Sequence, residues 1–184
     1  MKKHITLALF IAVLLGVLSI GCNKQPSEKT SVGDTIVFGK YAIYGERDAS
    51  PIEWYVLKND TANHRVMLLA MDVVEAGPYH KPGEAFTWAE SMARAWLNGY
   101  DIPRLGVYSG GSFITKAFTN KERSRIAKLT VVNENNYDTP GGANTQDQVF
   151  LLSIAEVKNL LGLTKEDICT KIHCKIQWYL RSPG

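Results

Sequence analysis

Ile52-Glu53-Trp54-Tyr55-Val56-Leu57 and Arg65-Val66-Met67-Leu68-Leu69-Ala70-Met71 flank the polar segment Asn59-Asp60-Thr61-Ala62-Asn63-His64. The two outer stretches are rich in β-branched, aromatic and aliphatic residues, and the segment between them holds turn formers. The pattern predicts two strands joined as a hairpin. The second run is continuous rather than alternating. That predicts a strand covered on both faces, although periodicity alone does not separate it from a buried helix.

Working outward, Thr35 to Tyr41 is β-rich and bounded by Gly33-Asp34, a first strand. Thr87-Trp88-Ala89-Glu90 has the spacing of a capping box and predicts a helix. Trp88, Met92 and Trp96 follow at intervals of four on one face, read as core packing, and Gly99 is the stop. The same device opens helices at Thr119 to Glu122, running to about Ala127, and at Ser153 to Glu156, running to about Leu161. Leu129–Val132, Gln148–Leu152 and Gln177–Arg181 read as further strands. Asp101–Ser112 and Asn133–Asp147 carry no periodic pattern and read as long loops, of a length uncommon unless functional or disordered. Together these elements predict an α+β domain with a mostly antiparallel sheet, two or three short helices and long loops.

Composition agrees with a folded chain. Of 184 residues, 45% are hydrophobic and 21% charged, values that exclude a disordered chain or a coiled coil. Lysine and arginine number 21 against 18 acidic residues; without Lys2 and Lys3 the balance is 19 to 18. Nothing here forms a footprint for nucleic acid.

The N-terminus reads as an address. Met1-Lys2-Lys3-His4 is basic, Ile5 to Ile20 is an apolar run, and Gly21-Cys22 follows. Sixteen residues fall short of the roughly 20 that a spanning helix needs, and the order of parts is that of a secretory signal peptide. Leu18-Ser19-Ile20-Gly21-Cys22 resembles the lipobox of bacterial exported lipoproteins, with Leu one position earlier than usual. The resemblance implies cleavage before Cys22 and a diacylglyceryl group on its thiol; an ordinary signal peptide or a membrane anchor are the alternatives. Two acyl chains hold a protein stably where one does not. The expected organisation is a signal peptide over 1–21, a lipidated cysteine with a flexible tether over 22–31, and one globular domain over 32–184. The expected location is the outer face of the bacterial cell membrane, with the membrane itself as a partner.

Chemistry-bearing patterns are sparse. No phosphate-binding glycine loop and no H-E-x-x-H occurs, and no pattern calls for a cofactor. His64, His80 and His173 are far apart. Asn133 to Asp138 and Asp147 offer hard oxygen donors, but the calcium-loop spacing is absent, and Asn and Asp also favour turns. Cys169 and Cys174 are the thiols left once Cys22 is lipidated. A structural disulfide, two free thiols and a redox or copper-binding pair are the three readings. Tyr79, Trp88, Tyr100, Tyr108, Tyr137, Trp178 and Tyr179 lie near candidate loops, where exposed rings make platforms for sugars and peptides.

The tail Trp178-Tyr179-Leu180-Arg181-Ser182-Pro183-Gly184 resembles the W-W-L-R-S-P-G signature of a bacterial domain-of-unknown-function family found in exported proteins. Other blocks agree in order: Phe38-Gly39 with Tyr41, Ile52-Glu53-Trp54, Leu68-Leu69, Trp96-Leu97-Asn98, Ala117-Phe118-Thr119 with Glu122, and Asp147 through Phe150-Leu151-Leu152-Ser153 with Glu156. The resemblance spans about Gly33 to Gly184 and implies a fold similar to the C-type-lectin-like and sulfatase-modifying-factor group. No activity comes with it. The Glu-Pro-Asn and Trp-Asn-Asp signatures of calcium-dependent lectins are absent. Members of the family continue past the Pro-Gly with a further strand. A chain stopping at Gly184 implies an exposed edge near Ile36–Phe38, and with it lower stability or pairing with another chain.

Two functions follow as expectations. The first is a surface lipoprotein whose domain, not itself an enzyme, binds a glycan or protein. The second is a relative of the formylglycine-generating oxidases, whose paired cysteines with four residues between them resemble Cys169 and Cys174.

Overall fold

The computed structural model describes residues 7–9, 12–16, 30–42, 47–72, 74–80, 86–100, 111–161, 177–178 and 180–183. The hairpin forms as its sequence predicts. β4 (Ser50–Asp60) and β5 (Arg65–Ala70) pair antiparallel, joined by a 3₁₀ turn at Thr61–Asn63 that Asp60 caps by accepting from the Asn63 amide. Ile52, Trp54 and Val56 are buried and Glu53 exposed, the alternation of a strand with one covered face. A register shift between Val56 and Lys58 then lets Leu57 turn inward as well. In β5 Leu68, Leu69 and Ala70 are all fully buried, so both faces of that strand are covered.

β3 (Thr35–Tyr41) pairs antiparallel with β4 and is an outer strand of a five-stranded antiparallel sheet. Its edge is blunted by a bulge between Val37 and Lys40. Gly39 makes the bulge with φ of 75°; a Cβ there would lie 2.5 Å from the Phe118 ring. Beyond β5 the sheet continues through β2 (Ala12–Gly16) to β9 (Val149–Phe150). β1 (Leu7–Leu9), β6 (Glu75–Ala76) and β10 (Gln177–Trp178) form a second sheet with β1 in the middle, and β7 (Leu129–Val131) pairs antiparallel with β8 (Thr145–Asp147). β1 and β2 fall within the stretch read from the sequence as a signal peptide. An apolar run of that length suits an interior strand as well as a leader, because both need a segment without charge.

Four short helices stand among the described residues: α1 (Met92–Asn98), α2 (Phe113–Ala117), α3 (Asn120–Arg123) and α4 (Ile154–Leu161). α1 packs on β9, α2 on β3 and α4 on β4. The core between helices and sheet is aromatic. Phe113 meets Tyr41 and Phe118 edge-on, Phe118 stacks on Trp54, and the Trp54 indole N–H donates to the Phe38 carbonyl at 2.7 Å.

The mixed α+β class and the antiparallel sheet are those the sequence predicts; four details differ. Thr87 does not cap a helix. Its hydroxyl bonds the Glu90 carboxylate, a 3₁₀ turn spans Trp88–Glu90, and Ser91 caps α1 by accepting from the Arg94 amide at 3.1 Å. The α3 capping box, between Thr119 and Glu122, closes in both directions, as does that of Ser153 and Glu156 ahead of α4, but α3 ends at Arg123 rather than near Ala127. The sequence does not predict α2, because five residues show too little periodicity. Thr145–Asp147, read as loop, is a strand whose pairing with β7 is long-range. Cys22, Cys169, Cys174, His173, Tyr108, Tyr179 and Gly184 lie outside the described residues.

Candidate functional site

α1 ends where Gly99 takes a left-handed conformation, and Asn98 is its last residue. The Asn98 side chain works as a piece of strand. Its Oδ1 accepts from the Gln148 and Val149 amides at 2.9 and 3.0 Å, and its Nδ2 donates to the Val149 carbonyl at 2.7 Å. One turn earlier Arg94 donates from Nε to Asp147 Oδ1 at 2.8 Å. Asp147 is fully buried, and its Oδ2 accepts from the Trp88 indole at 2.9 Å and the Thr145 hydroxyl at 2.6 Å. A buried carboxylate is tolerable only with such partners. The Tyr100 ring lies 4.5 Å under the Arg94 guanidinium and 5.7 Å from the Lys128 ammonium, with its hydroxyl donating to the Gln146 carbonyl.

A second clamp closes the C-terminal end. Arg181 is 5% exposed; it donates to the Leu151 carbonyl at 2.7 Å, pairs with Glu156 and reaches the Val132 carbonyl. Its guanidinium also covers the Phe150 ring. The Ser182 hydroxyl accepts from the Ile154 amide at 3.0 Å, and Leu180 packs against the core. Trp96, Leu97, Asn98, Phe150, Leu151, Leu152, Ser153, Arg181 and Ser182 thus gather around β9, with Trp54 buried in the sheet beneath the helices. Asn98, Ser153, Ser182 and the two terminal nitrogens of Arg181 bond backbone and one another, which makes the cluster a scaffold, while the buried Arg181 Nε has no hydrogen-bond partner among the described residues. Trp178 falls in β10.

The surface feature with the most construction is the loop from Asn133 to Asn144. Asn133 donates to the Ala143 carbonyl at 2.7 Å, and its amide donates to the Asn144 side chain. Asn135 accepts from the Gly141 amide, Asn136 donates to the Pro183 carbonyl, and Gly141 sits so close to Asn133 that a Cβ would lie 2.2 Å from its carbonyl oxygen. The asparagines read as possible cation donors therefore hold the loop, and Asp147 has turned inward. Among the described residues no group of three or more His, Cys, Asp or Glu is placed to hold a metal. At the tip, Asn136 and Thr139 exchange backbone bonds around a two-residue turn, and Tyr137 occupies its first position with φ of 51°. Tyr137 is 95% exposed. Of the other rings singled out, Trp88 is buried, while Tyr79 and Tyr100 are half-buried.

Electrostatics follow burial. Desolvation pushes the Tyr79 phenol up to about 12, so its neutral form is favoured in the folded protein, and stability falls as pH climbs through this range from the ordinary 10. The Thr119 hydroxyl and amide hold Glu122 below the usual carboxylate range, and the Asn63 side chain does the same for Asp60.

Sequence reasoning missed Arg94 as a structural partner and assigned Asp147 to a possible cation site. The two are 53 residues apart, and no local signal joins them. Residues 63–184 match a family described as a domain of unknown function, DUF6273; the resembling blocks at Phe38–Tyr41 and Ile52–Trp54 precede the matched residues. No curated protein and no solved structure matches.

Proposed function

The chain belongs to the DUF6273 family, and from that premise we propose that it is an exported lipoprotein, held by an acylated Cys22, whose domain is a binding module presenting Tyr137. The fold we propose is of the C-type-lectin-like group. The address rests on the basic start, the apolar run and the Gly21-Cys22 ending; the W-Y-L-R-S-P-G tail supports the fold group.

Tyr137 carries the binding reading. A non-glycine residue at φ of 51° costs about 1–2 kcal/mol, and this one is also a large ring held in solvent. Four asparagines keep the loop in that shape. A rigid aromatic presented at low entropic cost is the kind of contact that binding surfaces use. A ring 95% exposed buries almost no surface within the protein, and that supports a ligand as the reason for it.

The lipid-anchored chain, recovered from membranes, is tested on a panel of glycans, cell-wall fragments and surface proteins. Binding that Tyr137→Ala lowers at least about tenfold supports the reading, as removal of an aromatic anchor does elsewhere. Binding that the substitution leaves intact, or silence across the panel, refutes it. Release of Cys22→Ser protein from membranes, with no fatty acid on its N-terminus, tests the address separately.

A further inference from the structure

Asn98-Gly99 is the one Asn-Gly pair in the sequence, and no Asp-Gly pair occurs. The fold demands both halves of it. Gly99 closes α1 at φ of 73°, where a side chain is strained, and a Cβ there would lie 2.9 Å from the Ser112 hydroxyl oxygen. The Asn98 side-chain amide uses every hydrogen-bonding position it has. Nδ2 donates to the Arg94 carbonyl at 3.1 Å and to the Val149 carbonyl at 2.7 Å, and Oδ1 accepts from the Gln148 and Val149 amides. The same pair is chemically labile. A glycine after asparagine has a backbone nitrogen uncrowded by a Cβ, free to approach the preceding side-chain carbonyl carbon. The native structure holds the reacting atoms apart. Asn98 is the last residue of α1, its side chain is pinned to the start of β9, and the Gly99 N–H is engaged by the Ala95 carbonyl. Burial does not protect the pair, since Gly99 is exposed. Protection therefore comes from these hydrogen bonds and lapses whenever α1 and β9 part.

We propose that Asn98 is a deamidation site gated by opening of the α1–β9 contact, and that the acid it leaves holds the contact poorly, so conversion is a one-way exit from the native state. Once the bonds to Gln148 and Val149 open, the Gly99 nitrogen gives its proton to base and attacks Asn98 Cγ. A C–N bond forms there, the bond from Cγ to Nδ2 breaks, and Nδ2 takes up the proton and leaves as ammonia. Water then opens the five-membered imide. Cleavage of the new C–N bond gives aspartate; cleavage of the other gives isoaspartate. No oxidant or reductant takes part. Neither product fits the site. Aspartate places a second acceptor oxygen where Nδ2 had been a donor, so it faces the Arg94 and Val149 carbonyls, and both lose their partner. Isoaspartate lengthens the backbone by a methylene and shortens the side group, which draws it away from Gln148 and Val149. The four bonds of Asn98 thus act as a latch whose failure is recorded covalently, and the lifetime of the native chain depends on how often the latch opens.

The test holds the full chain in native buffer and in denaturant, at one pH and temperature, and follows residue 98 by peptide mass mapping and isoaspartate labelling. Conversion should run at least about tenfold slower in native buffer, because only the open fraction reacts. Chain aged in denaturant is then returned to native buffer, and the converted molecules are separated by their added negative charge. In them, hydrogen exchange at the Gln148 and Val149 amides should be at least about tenfold faster than in unconverted chain. Equal conversion rates in the two buffers overturn the gating. Wild-type exchange in the converted chain overturns the one-way exit. Absence of conversion at Asn98 in denaturant, or faster conversion there at Asn133 or Asn136, overturns the choice of site. Asn98→Asp, made as the full chain, should reproduce the fast exchange at Gln148 and Val149; wild-type protection in it counts against the proposal. If that variant does not fold, the failure agrees with a poorly held contact, and the rates measured on wild type still decide the gating.

Discussion

The β4–β5 hairpin and the segment from Thr145 to Ser153 are both buried, but they are held by different forces. The hairpin is held by apolar area: Ile52, Trp54, Val56, Leu68, Leu69 and Ala70 are at most 2% exposed, and its pairing partner is a few residues away in sequence. The other segment has a regular ladder of only a few residues. Asn98 substitutes for a strand partner, Asp147 gathers three donors, and Arg181 donates to the Leu151 and Leu152 carbonyls that follow β9. Burial of apolar surface is non-directional and tolerates adjustment. A buried polar clamp is directional, and loss of one member strands the others. The polar region should therefore respond to single substitutions as sharply as the apolar one, although it contains less apolar surface.

Asp147→Ala is the strongest way to break the comparison. It leaves Arg94 and the Trp88 indole without their acceptor, and about 3–5 kcal/mol of stability should go, as for a buried pair deprived of one partner. Chemical denaturation measures this, and a loss below that of an exposed ion pair would show that the clamp is ornamental. Leu68→Ala sets the apolar standard: a fully buried leucine in a close-packed strand should cost about 2–5 kcal/mol. Asn98→Ala follows. It removes the bonds to Gln148 and Val149 while α1 keeps its shape, and about 1–3 kcal/mol should be lost. Exchange at the Val149 amide should speed more than at Leu69.

Smaller effects sharpen the picture at the surface. Thr119→Ala removes one half of the α3 capping box and should cost about 1 kcal/mol. Glu122 adds a pH signature. Its folded pKa is depressed, so its contribution is present above the ordinary glutamate value and is lost as pH falls through the lower folded value. The gap between wild type and Thr119→Ala should narrow across that window in acid denaturation curves. Tyr137→Asn has the smallest expected effect and the opposite sign. Asparagine tolerates positive φ, so the variant should melt at or slightly above wild type, by up to about 1 kcal/mol, while losing ligand. A clear drop in stability would mean that Tyr137 serves the loop rather than a partner.

Local signals in the chain carried much of this architecture. The hairpin, the first strand and two complete capping boxes, at Thr119–Glu122 and Ser153–Glu156, are each specified within a dozen or so residues by apolar alternation, turn formers and a hydroxyl three residues ahead of a carboxylate. So is the apolar character of Ala12–Gly16, whether it leads export or completes a sheet. What folding alone decided is which distant groups meet: Asp147 with Trp88 and Arg94, Asn98 with the backbone of β9, Asn136 with Pro183, and Tyr137 left bare while Trp88 is covered. Helix and strand periodicity arise from neighbours along the chain and leave a pattern there. A hydrogen bond between side chains some fifty residues apart leaves none, because only the folded backbone brings its two atoms within reach.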